Sequence, residues 1–123
     1  MKILIADDSS FMRTILKGIV SKGYPEAQII EAADGVETVK LYKQEKPDLI
    51  LLDIIMPNKD GIAVLKEIGH EAVVMIVSSV GQEEVMKQAR ELGAKAFINK
   101  PFEGKQVVET MKAILQPSPS NPA

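Results

Sequence analysis

The chain has 123 residues, a formal net charge of −2 and neither cysteine nor tryptophan. Without cysteine it forms no disulfide framework, thiolate zinc site or cysteine nucleophile, and a single histidine, His70, cannot build a histidine-rich metal site. The pI is near 5.4 and the charges are mixed, so the chain lacks the basic stripe that is typical of a nucleic-acid-binding domain. The composition leaves one small domain whose chemistry rests on carboxylates, hydroxyls and lysines.

We expect no targeting signal in this chain. No apolar run approaches the roughly 18 residues of a membrane span, and the opening segment Met1–Ala6 runs straight into Asp7 and Asp8, unlike a signal peptide. We therefore expect a cytoplasmic protein. A folded domain is expected over residues 1–116, followed by a disordered tail rich in proline and serine over residues 117–123.

Five apolar segments are predicted as strands. In chain order they are Ile3–Ala6, Ile29–Ile30, Leu49–Leu52, Val73–Val77 and Ala96–Ile98. Three of these segments are almost continuously apolar, which is typical of parallel strands that are buried on both faces.

The segments between the strands carry apolar residues at helical spacing. Ser9 or Ser10 is suited to cap the first helix, and Asp34 with Glu37 resembles a capping box at the start of the second. The later helices are predicted over Gly61–Ile68, Gln82–Leu92 and Glu103–Leu115. Left-handed residues are expected just past helix ends at Gly23, Gly69 and Gly93.

Alternating strands and helices with short loops predict an α/β fold. Parallel strands need crossovers of this size, and right-handed crossovers place helices on both faces of the sheet. We therefore predict a three-layer, doubly wound (βα)5 sheet. Ligands of such sheets bind at the carboxyl ends of the strands.

Polar side chains follow four of the five predicted strands. They are Asp7 and Asp8 after the first strand, Asp53 after the third, Ser78 and Ser79 after the fourth and Lys100 after the fifth. Each alone has an ordinary explanation as a helix-terminal carboxylate, a helix cap or a surface lysine. Their convergence on one edge of the sheet predicts a binding site.

The predicted site favours a hard metal ion and phosphoryl chemistry. Three clustered carboxylates repel one another unless a cation lies among them, and oxygen ligands favour Mg²⁺, with Mn²⁺ as the alternative. A carboxylate beside such an ion can attack a phosphoryl group and form an acyl phosphate. Lys100 and a serine hydroxyl can then contact the phosphoryl oxygens.

Four motifs carry a family resemblance. They are Asp7-Asp8-Ser9-Ser10-Phe11-Met12-Arg13, Asp53-Ile54-Ile55-Met56-Pro57 with Asp60-Gly61, Ser78, and Lys100-Pro101-Phe102. In this order and spacing, the chain from Lys2 to Leu115 resembles the receiver domain of two-component response regulators, most closely single-domain chemotaxis regulators of the CheY type. The resemblance implies a flavodoxin-like sheet with strand order 2-1-3-4-5.

The resemblance also implies the roles of the acidic residues. Asp53 is expected to be the phosphoacceptor. Asp7, Asp8 and Asp53 are expected to hold Mg²⁺ together with the backbone carbonyl of Ile55. The protein is then expected to assist only its own phosphorylation and dephosphorylation, and not to be an enzyme that acts on other substrates.

A switch is implied on the same grounds. Ser78 is expected to be the switch hydroxyl and Lys100 the lysine that contacts the phosphate, with a cis bond to Pro101. Phe97 stands where the family keeps a rotating aromatic. Phosphorylation is expected to draw in Ser78 and Phe97 and so to change the partners of the face made by the fourth helix, fifth strand and fifth helix.

Two departures qualify the resemblance, and Met86 is a further position of interest. Phe97 replaces the tyrosine often found in chemotaxis members, so it has no hydroxyl to offer a partner. Ile55 and Val80 occupy two positions that flank the phosphate and are often polar, which predicts slow self-dephosphorylation. Met86 lies about 100° from the inward stripe of its helix and is interpreted either as a core-edge residue or as an anchor on the partner face.

The resemblance implies a histidine kinase of the CheA type as the phosphoryl donor. A flagellar motor switch protein, another chemotaxis component and a phosphatase are candidate partners. We expect no nucleic acid partner, no membrane insertion and a monomer. The alternatives are a phosphorelay intermediate or other stand-alone receiver, a small phosphohydrolase with an aspartyl nucleophile, and a flavin or nucleotide binder.

Overall fold

The computed structural model describes residues 1–115, in which strands and helices alternate along the chain. The strands are β1 (Lys2–Ala6), β2 (Gln28–Ala32), β3 (Leu49–Leu52), β4 (Val74–Ser78) and β5 (Ala94–Asn99). The helices are α1 (Ser10–Gly23), α2 (Gly35–Glu45), α3 (Gly61–Ile68), α4 (Glu83–Glu91) and α5 (Gly104–Leu115). The predicted tail over residues 117–123 lies outside the described residues.

The strands form one parallel sheet with the order β2-β1-β3-β4-β5, which confirms the predicted fold class and strand order. Ala6 pairs with Leu52, and Leu52 pairs with Ile76. The carboxyl ends of β1, β3 and β4 therefore lie side by side at the same edge of the sheet. The edge strands β2 and β5 are longer than predicted because exposed polar residues extend them, among them Glu31 and Lys95.

Two hydrophobic clusters lie on opposite faces of the sheet, and alternate residues of each central strand point into each of them. In β1, Leu4 and Ala6 belong to the cluster that includes residues of α2, α3 and α4. Ile3 and Ile5 belong to the cluster that includes residues of α1 and α5. This two-sided burial explains why the central strands are continuously apolar.

Side chains cap the first two helices as predicted. Ser9 is the N-cap of α1, and its hydroxyl accepts a hydrogen bond of 3.1 Å from the N–H of Met12. Asp34 is the N-cap of α2 and accepts a bond of 2.8 Å from the N–H of Glu37. The Glu37 carboxylate in turn accepts from the N–H of Ala33 at 2.8 Å, one residue before the cap.

Only one of the three predicted left-handed glycines within residues 1–115 adopts that conformation. Gly93 has φ +114°, as expected. The prediction is wrong for Gly69, whose φ is −61° and whose added Cβ would lie 2.1 Å from the carbonyl oxygen of Leu92. It is also wrong for Gly23, which remains inside α1 and packs against Val108. Close packing therefore accounts for these two glycines.

Within residues 1–115, none of the helices combines the length and the apolar character needed to cross a bilayer.

Candidate functional site

The fold brings the predicted polar residues to one edge of the sheet. Asp7 follows β1, Asp53 follows β3, Ser78 ends β4 and Lys100 follows β5. Asp7, Asp53 and Ser78 are buried, with 2%, 6% and 1% of their surfaces exposed. Ser79 is exposed, so Ser78 is the serine that the fold directs into the site.

Lys100 joins the two buried carboxylates. Its ammonium nitrogen lies 2.7 Å from Oδ2 of Asp7 and 2.8 Å from Oδ2 of Asp53. These partners are 93 and 47 residues away in the chain, so only the folded sheet brings them together. Burial of unpaired carboxylates is unfavourable by several kcal/mol, and this lysine supplies the compensating charge.

The second oxygen of Asp53 accepts two hydrogen bonds. The Ser78 hydroxyl donates to Oδ1 at 2.7 Å, and the N–H of Ile55 donates to the same oxygen at 3.1 Å. The Ser78 oxygen itself accepts from the N–H of Val80 at 3.3 Å. Asp53 is therefore held by groups from three segments of the chain.

Asp7 is held from both sides. Its Oδ1 accepts a bond of 2.9 Å from the N–H of Ser9, at the start of α1. Its backbone carbonyl accepts from the guanidinium of Arg13 at 2.6 Å, and Arg13 also pairs with Glu31 at 3.0 Å. The sequence motif contains Arg13, but its role as a support for Asp7 was not predicted.

Burial and charge shift two of the ionisable groups. Burial raises the pKa of the Asp7 carboxyl, against the opposing effect of hydrogen bonds from Lys100 and from the Ser9 N–H. For Lys100, burial alone would lower the pKa, but hydrogen bonds to Asp53 and Asp7 outweigh it and raise the pKa above its usual value. Lys100 is thus a fixed cation beside carboxylates that a second cation would stabilise.

The three carboxylates fit a hard metal ion. One oxygen from each of Asp7, Asp8 and Asp53 lies within 4.8 Å of the others. Asp8 is exposed while the other two are buried, so the cluster is open to solvent on one side. Carboxylate oxygens in a partly open cluster suit Mg²⁺, which keeps several of its water ligands.

The residues predicted on the partner face lie on α4 and β5. Met86 in α4 and Phe97 in β5 are both half-buried, and Phe97 packs against the cluster on the α2–α4 side. The guanidinium carbon of Arg90 lies 5.5 Å from the centre of the Phe97 ring, a cation–π geometry. This contact was not predictable from the sequence, because it joins α4 to β5 through an exposed arginine with no distinguishing pattern around it.

Ile55 and Val80 follow Asp53 and Ser78 by two residues each, at the same edge of the sheet. Ile55 is 58% exposed beside Asp53, and Val80 is half-buried after Ser78. The bond between Lys100 and Pro101 is cis, as the resemblance implied. Both Ile55 and Val80 reach the site through their backbone N–H groups, Ile55 at Asp53 and Val80 at Ser78.

The response regulator receiver domain family matches residues 3–112 of the chain. The chain belongs to this family, whose members are signalling domains that bind Mg²⁺ at an acidic pocket.

Within the family, the chain closely resembles CheY. It is 40% identical over 117 residues to the chemotaxis protein CheY of Halobacterium salinarum, covering 93% of this chain and 96% of that protein. It is 41% identical to the chemotaxis protein CheY of Bacillus subtilis, covering 93% and 97%. A similar solved structure is the CheX–CheY–BeF3–Mg²⁺ complex of Borrelia burgdorferi, with a TM-score of 0.87, 35% identity and coverage of 95% of this chain and 90% of that one.

Proposed function

We propose that the chain is a single-domain response regulator of chemotaxis that accepts a phosphoryl group on Asp53. The observation that carries the proposal is the pair of buried carboxylates, Asp7 and Asp53, bridged by Lys100, with Ser78 on the remaining oxygen of Asp53. Its chemotaxis role is supported by the chain's similarity to CheY proteins over nearly their whole length.

The proposed reaction is a transfer between two side chains. A carboxylate oxygen of Asp53 bonds to the phosphorus of a phosphohistidine on a CheA-like kinase. The phosphorus–nitrogen bond breaks, and its electron pair leaves with the imidazole of the kinase. The product is an acyl phosphate on Asp53.

The residues around Asp53 are placed to receive the added charge. The ammonium of Lys100 already lies 2.8 Å from Oδ2 and can pair with the phosphoryl oxygens. Asp7, Asp8, Asp53 and the backbone carbonyl of Ile55 would hold Mg²⁺. When bound, that ion neutralises part of the phosphoryl charge.

The switch follows from the hydrogen bond of Ser78. Its hydroxyl now donates to Oδ1 of Asp53 and would donate instead to a phosphoryl oxygen after transfer. Because β4 pairs with β5, we propose that this movement at the end of β4 is passed to the half-buried ring of Phe97 on β5. The resulting change reaches the α4–β5–α5 face, where Met86 and Phe97 would meet a partner.

The proposed partners follow from this mechanism. A CheA-like histidine kinase supplies the phosphoryl group, and a flagellar motor switch protein or another chemotaxis component reads the altered face. A phosphatase is a further candidate. The protein would act as a cytoplasmic monomer, catalyse only its own phosphorylation and dephosphorylation, and need neither nucleic acid nor membrane insertion.

The test is a titration with beryllofluoride, a phosphoryl mimic, in the presence of Mg²⁺. We expect shifts in the amide NMR signals around Asp53, Ser78 and Phe97. Asp53→Asn should abolish these shifts, while Asp48→Asn, a change of an exposed aspartate before β3, should preserve them. An unchanged spectrum of the wild type, or an equal response of Asp53→Asn, would contradict the proposal.

A further inference from the structure

The loop between β3 and α3, residues 53–60, is fastened to the start of α2. Oδ2 of Asp34 accepts a hydrogen bond of 2.8 Å from the side-chain amide of Asn58, although the two residues are 24 positions apart. The other oxygen of Asp34 accepts from the N–H of Glu37 at 2.8 Å. Asp34 therefore caps α2 and holds the β3–α3 loop with the same carboxylate.

Two backbone features, the conformation of Asn58 and the small residue Gly35, allow the loop and α2 to approach closely enough for this hydrogen bond. Asn58 adopts φ 69°, a left-handed conformation that asparagine tolerates better than most residues. Gly35 lies so close to the loop that an added Cβ would stand 1.9 Å from the carbonyl oxygen of Lys59. A larger residue at position 35 would push the loop away from α2.

The same loop begins at Asp53, and its backbone donates a hydrogen bond to the carboxylate of that residue. The N–H of Ile55 donates to Oδ1 of Asp53 at 3.1 Å, and the carbonyl of Ile54 accepts from the N–H of Gly61 at 2.8 Å. A displacement of the loop at Asn58 would thus move a donor of Asp53.

We propose that Asp34 and Asn58 form a clamp of two positioning residues, which holds the β3–α3 loop in place for Mg²⁺ binding at Asp53. This inference rests on the proposed function, because it concerns the same metal site. Neither residue has a role in the sequence motifs that indicate the site.

Two variants break the clamp in different ways. Asn58→Gly removes the side-chain amide but keeps the left-handed backbone accessible. Asp34→Ser keeps an N-cap oxygen for the N–H of Glu37, but its side chain is shorter than that of aspartate. Asp34→Asn is the matched control, because its carboxamide can cap α2 and also form a hydrogen bond with a flipped Asn58 amide.

The experiment measures the Mg²⁺ dissociation constant from amide NMR shifts of residues 53–55, without a phosphoryl donor. Loss of one hydrogen bond to a carboxylate should weaken binding about three- to tenfold in Asn58→Gly and in Asp34→Ser. The double variant should bind no more weakly than either single variant, since both remove the same contact. Asp34→Asn should bind like the wild type.

Urea unfolding in metal-free buffer measures how much each variant lowers the stability of the fold, separately from its effect on the Mg²⁺ dissociation constant. A purely structural contact would lower the unfolding midpoint and leave the Mg²⁺ dissociation constant of the folded protein unchanged, which would overturn the clamp. Additive losses of affinity in the double variant would overturn it as well. If the wild type itself bound no Mg²⁺, the proposed function would fail, and the clamp with it.

Discussion

The hydroxyl of Ser78 donates a hydrogen bond of 2.7 Å to Oδ1 of Asp53, and both side chains are buried. This contact links the end of β4 to the proposed phosphoacceptor. Because Lys100 holds the other oxygen of Asp53, a phosphoryl group added to this carboxylate must rearrange at least one of the two contacts.

Ser78→Ala should separate phosphorylation from the structural response. Asp53 keeps Lys100 and the N–H of Ile55, so we expect the variant to bind beryllofluoride with Mg²⁺. Without the hydroxyl, the shifts of the NMR signals of Met86 and Phe97 should be largely lost. Ser79→Ala, at the exposed neighbouring serine, is the control and should respond like the wild type. A full response of Met86 and Phe97 in Ser78→Ala would contradict this switch.

Lys100→Met should destabilise the metal-free protein strongly. The change removes the ammonium that lies between Asp7 and Asp53 and leaves two buried carboxylates without their partner. Loss of one member of a buried ion pair is destabilising by about 3–5 kcal/mol. Urea unfolding measures the effect, with Lys105→Met, an exposed lysine on α5, as the control. Equal free energies of unfolding for the two variants would show that Lys100 does not compensate the carboxylates.

Asp7→Asn should stabilise the metal-free protein and remove its response to Mg²⁺. Burial beside Asp53 raises the pKa of the Asp7 carboxyl, so its ionised form is unfavourable in the fold. Lys100 keeps Asp53 as its partner in this variant, so we expect a higher free energy of unfolding than that of the wild type at neutral pH. With Mg²⁺ at about 100 times its Kd, the wild type should gain about 2.7 kcal/mol and the variant much less. A variant that gained as much from Mg²⁺ as the wild type would exclude Asp7 as a ligand.

The double variant Ile55→Asn, Val80→Glu should lose its phosphoryl group faster than the wild type. The wild-type side chains are apolar and cannot orient a water molecule for attack on the acyl phosphate. Polar groups at both positions should accelerate hydrolysis by about tenfold or more. The decay of the phosphorylated form measures this rate, with Val36→Asn, an exposed valine on α2, as the control. Equal or slower decay in the double variant would show that these positions do not control hydrolysis.

The sheet and the site edge were predictable because both depend on local patterns. Apolar runs such as Leu49–Leu52 predict buried parallel strands, and the first polar residue after each run lies at the carboxyl edge. Asp53 was found in this way, and Lys100 stands one residue further on, after Asn99. Their roles as phosphoacceptor and phosphate contact stay predictions until they are measured.

Contacts between distant segments were not predictable from these patterns. The single lysine Lys100 pairs with two carboxylates, and Asn58 reaches Asp34, only because loops from different βα units meet at one edge. The residue that adopts a left-handed conformation after a helix was also not predictable from the glycine positions alone. The left-handed residue after α2 is Lys46, with φ 49°, whereas Gly69 is needed for close packing and not for its φ.

The most direct test of the central claim is phosphoryl transfer to Asp53 from a small-molecule donor in the presence of Mg²⁺, followed by intact-mass measurement. We expect the wild type and Asp48→Asn to gain the mass of one phosphoryl group. Asp53→Asn should gain none, and removal of Mg²⁺ with a chelator should prevent the gain in the wild type. Labelling of Asp53→Asn to the wild-type extent, or no labelling of the wild type, would contradict the assignment of Asp53 as the phosphoacceptor.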